Sequence, residues 1–151
     1  MRRTGESIEV RSEDPIRVVL AEDHAEFRLG LKEMLSTDEG IEIVGEAENG
    51  AQAVALAREV RPDVIVLDLL MPVMEGREAL GLILRDVSPP PGIVILTMHD
   101  QPHLRREFMR IGASAFLAKS ASLAEVIGAV KESRPMHTPR EGGSGEAPPA
   151  S

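Results

Sequence analysis

The segment DLLMPVMEG, Asp68 to Gly76, follows directly on the apolar run Val64 to Leu67. The most hydrophobic stretch of the chain therefore ends on a carboxylate. An ionised carboxylate at the rim of a core is costly unless something compensates it. Other apolar runs also end on reactive groups. Glu22 and Asp23 come just after Val18-Val19-Leu20, Thr97 follows Ile93 to Leu96, and Lys119 follows Ala115 to Ala118. Gathered in one place, three carboxylates would repel one another, so either some pKa values rise or a cation joins them. With oxygen ligands and no cysteine in the chain, the fitting ion is a hard one. Mg2+ is the usual choice where phosphate is also handled. Lys119 would balance part of the charge and hold an incoming anion as a point charge. This set suits phosphoryl transfer to a carboxylate. Asp68 would attack, the metal and Lys119 would hold the equatorial oxygens, and Thr97 would recognise the product through one hydrogen bond.

Such a gathering needs a scaffold, and the chain spells one out. The apolar runs just named are continuous, as in strands buried on both faces of a parallel sheet. Residues 41–47, IEIVGEA, partly alternate and suit an edge strand. Amphipathic segments lie between the runs. Phe27, Leu31, Met34 and Leu35 share one helical face; so do Ala53, Leu56, Ala57 and Val60; Leu80, Ile83, Leu84 and Val87; and Leu123, Val126, Ile127 and Val130. Leu104, Phe108 and Ile111 mark a weaker helix, with Gly112 as its stop. Ser122 with Glu125 three residues later is a capping-box signature for the last helix. Five strand–helix units in alternation imply a doubly wound, flavodoxin-like α/β sheet with right-handed crossovers. Its strand order is expected to be 2-1-3-4-5. In that order the strands ending at Glu22-Asp23, Asp68, Thr97 and Lys119 are consecutive neighbours. Ligands of such sheets bind outside the carboxyl ends of the strands, at the switch point between the first and third.

Composition excludes several function classes. The chain has 151 residues and a net charge of −8, with no run of Lys or Arg. Direct nucleic-acid binding is not expected of so acidic a segment. No stretch approaches the ~18–20 apolar residues of a membrane span. The start, MRRTGESIEV, lacks the apolar core of a signal peptide. A cytoplasmic protein is the expectation. The absence of Trp and Tyr argues against a pocket that stacks a flat cofactor. Residues 1–15 read as a flexible lead-in, 16–133 as the folded domain, and 134–151 as a Pro/Gly/Ser-rich tail or linker. The tail ends in APPAS, without an element that begins a new domain. That favours a stand-alone chain over the front half of a transcription factor.

Four motifs in order, each ending an expected strand, carry a family resemblance. VVLAEDH at 18–24, VIVLDLLMPVMEG at 64–76, ILTMHD at 95–100 and GASAFLAKS at 112–120 resemble bacterial two-component response-regulator receiver domains. The AEDH and GASAFLAKS stretches look closest to the subfamily that usually carries a C-terminal helix-turn-helix output domain. The resemblance implies that Asp68 accepts a phosphoryl group from a histidine kinase or phosphotransfer protein. Glu22 and Asp23 would anchor Mg2+, Asp23 more directly, and the backbone carbonyl of Leu70 would be a further ligand. Lys119 would pair with the phosphoryl group, Thr97 would swing to hydrogen-bond it, and Phe116 would pack inward. The fourth helix, fifth strand and fifth helix would present the altered face to a downstream protein target or to a second copy in a homodimer. Pro72 and Gly76 would shape the loop after Asp68. Such a protein is not a turnover enzyme; it catalyses its own phosphorylation and slow dephosphorylation.

Two positions depart from the family pattern. Met98 stands where many receivers have Ala or Ser, and its bulk could narrow access to an acyl phosphate. Ser120 stands where many have Pro after the lysine. A cis bond there would cost ~3 kcal/mol without the Pro. Plainer roles are open to each residue: helix capping for Asp68 or for Glu22-Asp23, β-forming for Thr97, solvation for Lys119. His24, His99, His103 and His137 show no shared ligand spacing and read as surface groups or neighbours of ligands. The methionines are expected to fill core and loop gaps. Three other functions compete. A degenerate receiver would bind partners without phosphorylation. An aspartyl-phosphate hydrolase would need an acid/base two residues after Asp68, where Leu70 stands. A flavodoxin-like cofactor carrier would need a phosphate loop where EDHAEF stands.

Overall fold

Val18, Val19 and Leu20 have no side chain exposed at all, because the first strand is flanked on both edges and covered on both faces. The computed structural model describes residues 14–71 and 73–135. Five parallel strands lie in the order 2-1-3-4-5. They are β1 (Ile16–Ala21), β2 (Ile41–Ala47), β3 (Val64–Leu67), β4 (Gly92–Thr97) and β5 (Ala115–Ala118). Five helices alternate with them: α1 (Ala25–Leu35), α2 (Gly50–Val60), α3 (Gly76–Asp86), α4 (Pro102–Ile111) and α5 (Leu123–Ser133). This is the expected receiver-type sheet. Every residue of β3 and β4 is buried, whereas β2 keeps a half-exposed middle, as an edge strand should.

Alternate strand residues feed two cores. Val19, Ile65, Leu67, Ile93 and Ile95 meet α2, α3 and α4 through Ala53, Leu80, Ile83 and Phe108. Val18, Leu20, Val66, Val94 and Leu96 meet α1 and α5 through Leu31, Leu35, Val126 and Val130. Each fully buried side chain of this size contributes ~1.5–3 kcal/mol, so the sheet's interior strands are its most rigid part. The apolar stripes are narrower than their sequence patterns. Met34 is 46% exposed and Ile111 37%, since the face toward the sheet centres on Leu31 and Leu35 in α1 and on Phe108 in α4. Met98 and Met109 are also exposed, which corrects the gap-filling expectation for them; Met71 is buried as expected.

The helix ends follow their local signals. Asn49 caps α2 by accepting from the Gln52 backbone N–H, and Gly112 closes α4 at φ 136°. Ser122 and Glu125 form the full reciprocal capping box of α5. Ser122→Ala is expected to cost about 1 kcal/mol, read as a lower urea midpoint with an unchanged slope. The Lys119–Ser120 bond is not cis; among the described residues the cis bond is Ser88–Pro89. Among those residues no helix is long and apolar enough to cross a membrane. Most of the expected lead-in and tail, together with Pro72 and His137, lies outside the described residues.

Candidate functional site

The carboxyl ends of the strands are pinned by hydrogen bonds that run one residue past each strand. The Glu22 N–H donates to Ala47 O at 2.9 Å, Asp68 N–H to Ala21 O at 3.1 Å, and Lys119 N–H to Thr97 O at 2.8 Å. The backbone therefore fixes where each functional side chain begins. Gly76 packs against the same edge. A Cβ there would lie 2.6 Å from Asp68 O and 2.9 Å from Leu69 Cα, so the loop can close over Asp68 only with glycine.

Three of the expected residues meet directly. Lys119 Nζ lies 2.7 Å from Glu22 Oε1 and 3.3 Å from Asp68 Oδ2, and the three side chains are 8%, 4% and 6% exposed. The other Glu22 oxygen accepts from the His24 backbone N–H at 3.0 Å and lies 3.0 Å from His24 Nδ1. Arg28 donates to the Glu22 carbonyl at 2.6 Å. Thr97 is fully buried at the end of β4. Its hydroxyl accepts from the His99 N–H at 3.1 Å, which holds it at the start of the next loop. Leu70 lies two residues past Asp68 with its side chain 54% exposed. Phe116 is buried and faces inward, with the Arg105 guanidinium 5.2 Å from its ring centre.

The electrostatics are uneven. Burial raises the Asp68 carboxyl above the usual range, the Glu22 charge raises it further, and Lys119 offsets only part. Burial also pushes Glu22 up, but the bonds from Lys119 and His24 outweigh it and hold Glu22 below its ordinary value. Lys119 is pushed down by burial and up, on balance, by Glu22 and Asp68. One ammonium thus serves two carboxylates, Glu22 and Asp68, and Asp68 bears the residual penalty.

Asp23 tests whether a cation fits. Its Oδ1 is buried without a hydrogen-bond partner; His24 Nδ1 lies 3.4 Å away without bonding it. A buried, unsatisfied carboxylate oxygen costs the full desolvation of that group. Ligand atoms of Glu22, Asp23 and His24 lie within 4.8 Å of one another. The orphaned oxygen and its neighbours therefore fit a hard, oxygen-seeking cation.

Of the residues that brace this set, sequence reasoning takes His24 as a surface group or a neighbour of ligands and misses the roles of Arg28 and Phe27. His24 and Arg28 hold Glu22, and the Phe27 ring lies 4.5 Å from Lys119 Nζ. The available signal was position, since the first turn of the helix after β1 faces the ligand edge of such a sheet.

Comparison with known proteins agrees with the fold. The family described as "Response regulator receiver domain" matches residues 18–131. The transcriptional regulatory protein YdfI of Bacillus subtilis (strain 168) is 42% identical over 106 residues, covering 70% of this chain and 49% of that protein. LiaR of the same organism is 39% identical over 116 residues, covering 77% and 54%. A crystal structure of a LuxR-family two-component response regulator from Aurantimonas sp. SI85-9A1 has a TM-score of 0.73 at 31% identity, covering 79% of this chain and 84% of that one. The chain spans about half the length of the curated relatives it matches. Both of those relatives are named as transcriptional regulatory proteins. Sheet order, acidic edge and family match converge: the chain belongs to the receiver-domain family of two-component response regulators.

Proposed function

We propose that the chain is a phosphorylation-switched receiver that takes a phosphoryl group onto Asp68. The observation that carries this reading is the Glu22–Lys119–Asp68 contact beside the orphaned Asp23 oxygen. The donor is a phosphohistidine on a histidine kinase or phosphotransfer protein. Asp68 Oδ attacks phosphorus, the P–N bond breaks, and an acyl phosphate forms while the imidazole leaves. Asp23, Asp68, Glu22 and the Leu70 carbonyl would hold Mg2+, which when bound neutralises charge on the phosphoryl oxygens. Lys119 releases one carboxylate contact and pairs with a phosphoryl oxygen. Thr97 exchanges its bond with the His99 N–H for one to the phosphoryl group, and Phe116 stays packed inward behind it.

The output would pass through α4, β5 and α5 to a protein target or a second copy of the chain. A cleft of about 620 Å3 between these elements, lined by Arg105, Phe116 and Ala129 among others, supports that choice of face. A ligand-driven change requires different contacts in the two states, and Thr97 is the group whose partner would differ.

The test is to incubate the full chain with Mg2+ and acetyl phosphate, then with Mg2+ and beryllofluoride. Intact mass and native size are followed. One phosphoryl adduct, absent when the metal is chelated, is expected. No adduct and no response to beryllofluoride would overturn the reading in favour of phosphorylation-independent binding.

A further inference from the structure

Lys119 is held by more than carboxylates. Its Nζ lies 4.5 Å from the ring centre of Phe27, on the first turns of α1. Phe27, partly buried, also packs against the core that contains Leu31 and Leu35, which holds the ring at the base of α1. A small void lined by Glu22, Phe27, Leu31, Asp68 and Leu96 is too small to admit water. The Lys119 side chain is itself only 8% exposed, so its ammonium meets the aromatic ring largely out of water. Such a ring attracts a cation through its quadrupole, and more strongly when water is excluded.

We propose that Phe27 is a positioning residue for phosphoryl transfer, holding the Lys119 ammonium at the acidic edge through its ring face. The inference rests on the reading of Asp68 as phosphoacceptor. Its physical logic lies in what a ring does not take. A third carboxylate beside Lys119 would occupy another N–H donor and deepen the repulsion already raised around Asp68. An aliphatic side chain of similar size would desolvate the ammonium and return nothing. The ring compensates desolvation while leaving the N–H groups for Glu22, Asp68 and an incoming phosphoryl oxygen. It can therefore support Lys119 both before and after the change of partners. Phe27 touches no reacting atom and acts only through Lys119.

The test keeps shape while changing the ring's charge distribution. Phenylalanine at 27 is replaced in the full chain by its mono-, di- and trifluorinated forms, which weaken the ring face with little change in volume. Phe27→Leu and Phe27→Tyr are made beside them. Two quantities are read. The first is the Lys119 side-chain NMR signal, without phosphodonor: its upfield ring-current displacement and the persistence of its ammonium protons. The second is the rate of Asp68 phosphorylation by acetyl phosphate with Mg2+.

Stepwise loss of ammonium protection with fluorination is expected. The phosphorylation rate should fall in step, to about a tenth of wild type in Phe27→Leu, with Phe27→Tyr near wild type. Equal ammonium protection across the fluorinated series would overturn the positioning role, since a purely packing ring would be indifferent to fluorine. Unaltered phosphorylation rates in folded Phe27→Leu would overturn it as well. Wild type that takes no phosphoryl group would refute the functional reading alone, and the NMR series would still decide what the ring does.

Discussion

Asp68→Asn is expected to abolish phosphorylation completely and, at pH 7 without added metal, to unfold at a higher temperature than wild type by a few degrees. The first effect follows from removing the proposed nucleophilic oxygen while keeping side-chain shape. The second follows from the site's electrostatics. Burial and the nearby Glu22 charge raise the Asp68 carboxyl above its ordinary value. A carboxyl with a raised folded-state pKa binds its proton more tightly when folded. Its ionisation therefore removes stability as pH climbs from the unfolded pKa through the folded one, and the full cost is present above both. Asparagine never ionises and escapes that cost. The advantage of the variant should accordingly vanish as pH falls below the ordinary Asp range. Adding Mg2+ should reverse the order, because a ligand stabilises the form that binds it and, on the proposed metal site, the variant lacks one ligand charge. Thermal unfolding of both proteins across pH, with and without Mg2+, checks each part. A variant that is less stable at pH 7 in the absence of metal would show that Asp68 is a net support of the fold.

That combination, a residue that costs stability and sits where chemistry is expected, was partly legible in the sequence. Continuous apolar runs ending on Glu22-Asp23, Asp68, Thr97 and Lys119 could be read because strand burial is written as unbroken hydrophobicity. The order 2-1-3-4-5 then made the four ends neighbours, and the sheet has that order. The helix faces were less well defined. Met34 and Ile111 fit a helical period yet stand exposed, since a period locates a face without giving its width. Pairing inside the site was not legible at all. Nothing in sequence spacing says that Lys119 lies closer to Glu22 than to Asp68, or that one Glu22 oxygen faces His24. Those facts depend on rotamers chosen by packing across four elements. The same holds for Arg105, which donates to Phe116 O at 2.7 Å and to Asp100 at 2.8 Å while covering the Phe116 ring. Sequence reading finds which groups share an edge; it does not find which of them touch.

The touching decides what Lys119 does for the fold as well as for phosphate. Lys119→Met keeps an unbranched apolar stem against Phe27 and removes only the charge. It leaves Glu22 and Asp68, both almost fully buried, with no ammonium between them. Breaking a buried ion pair from one side costs about 3–5 kcal/mol, because the remaining charge stays uncompensated. Phosphorylation should also slow on the order of 100-fold, the usual loss when one preorganised group facing developing anionic charge is removed. The pH dependence separates the two effects. Without Lys119, Glu22 loses its strongest lowering partner, so both carboxyls are pushed upward by burial and by each other. Their protonation then relieves the fold, and the stability deficit should shrink as pH falls through the carboxylate range. The decisive comparison is the Asp68→Asn, Lys119→Met double variant. Neutralising Asp68 removes one of the two charges that Lys119 had compensated. The double variant should therefore be more stable than Lys119→Met alone, with a clear coupling energy in the double-mutant cycle of urea unfolding. Additive effects would mean that Lys119 supports the fold through packing on Phe27 and not by holding two carboxylates together. Coupling would place the same ammonium in two successive tasks: keeping the acidic edge folded before a phosphoryl group arrives, and receiving that group when it does.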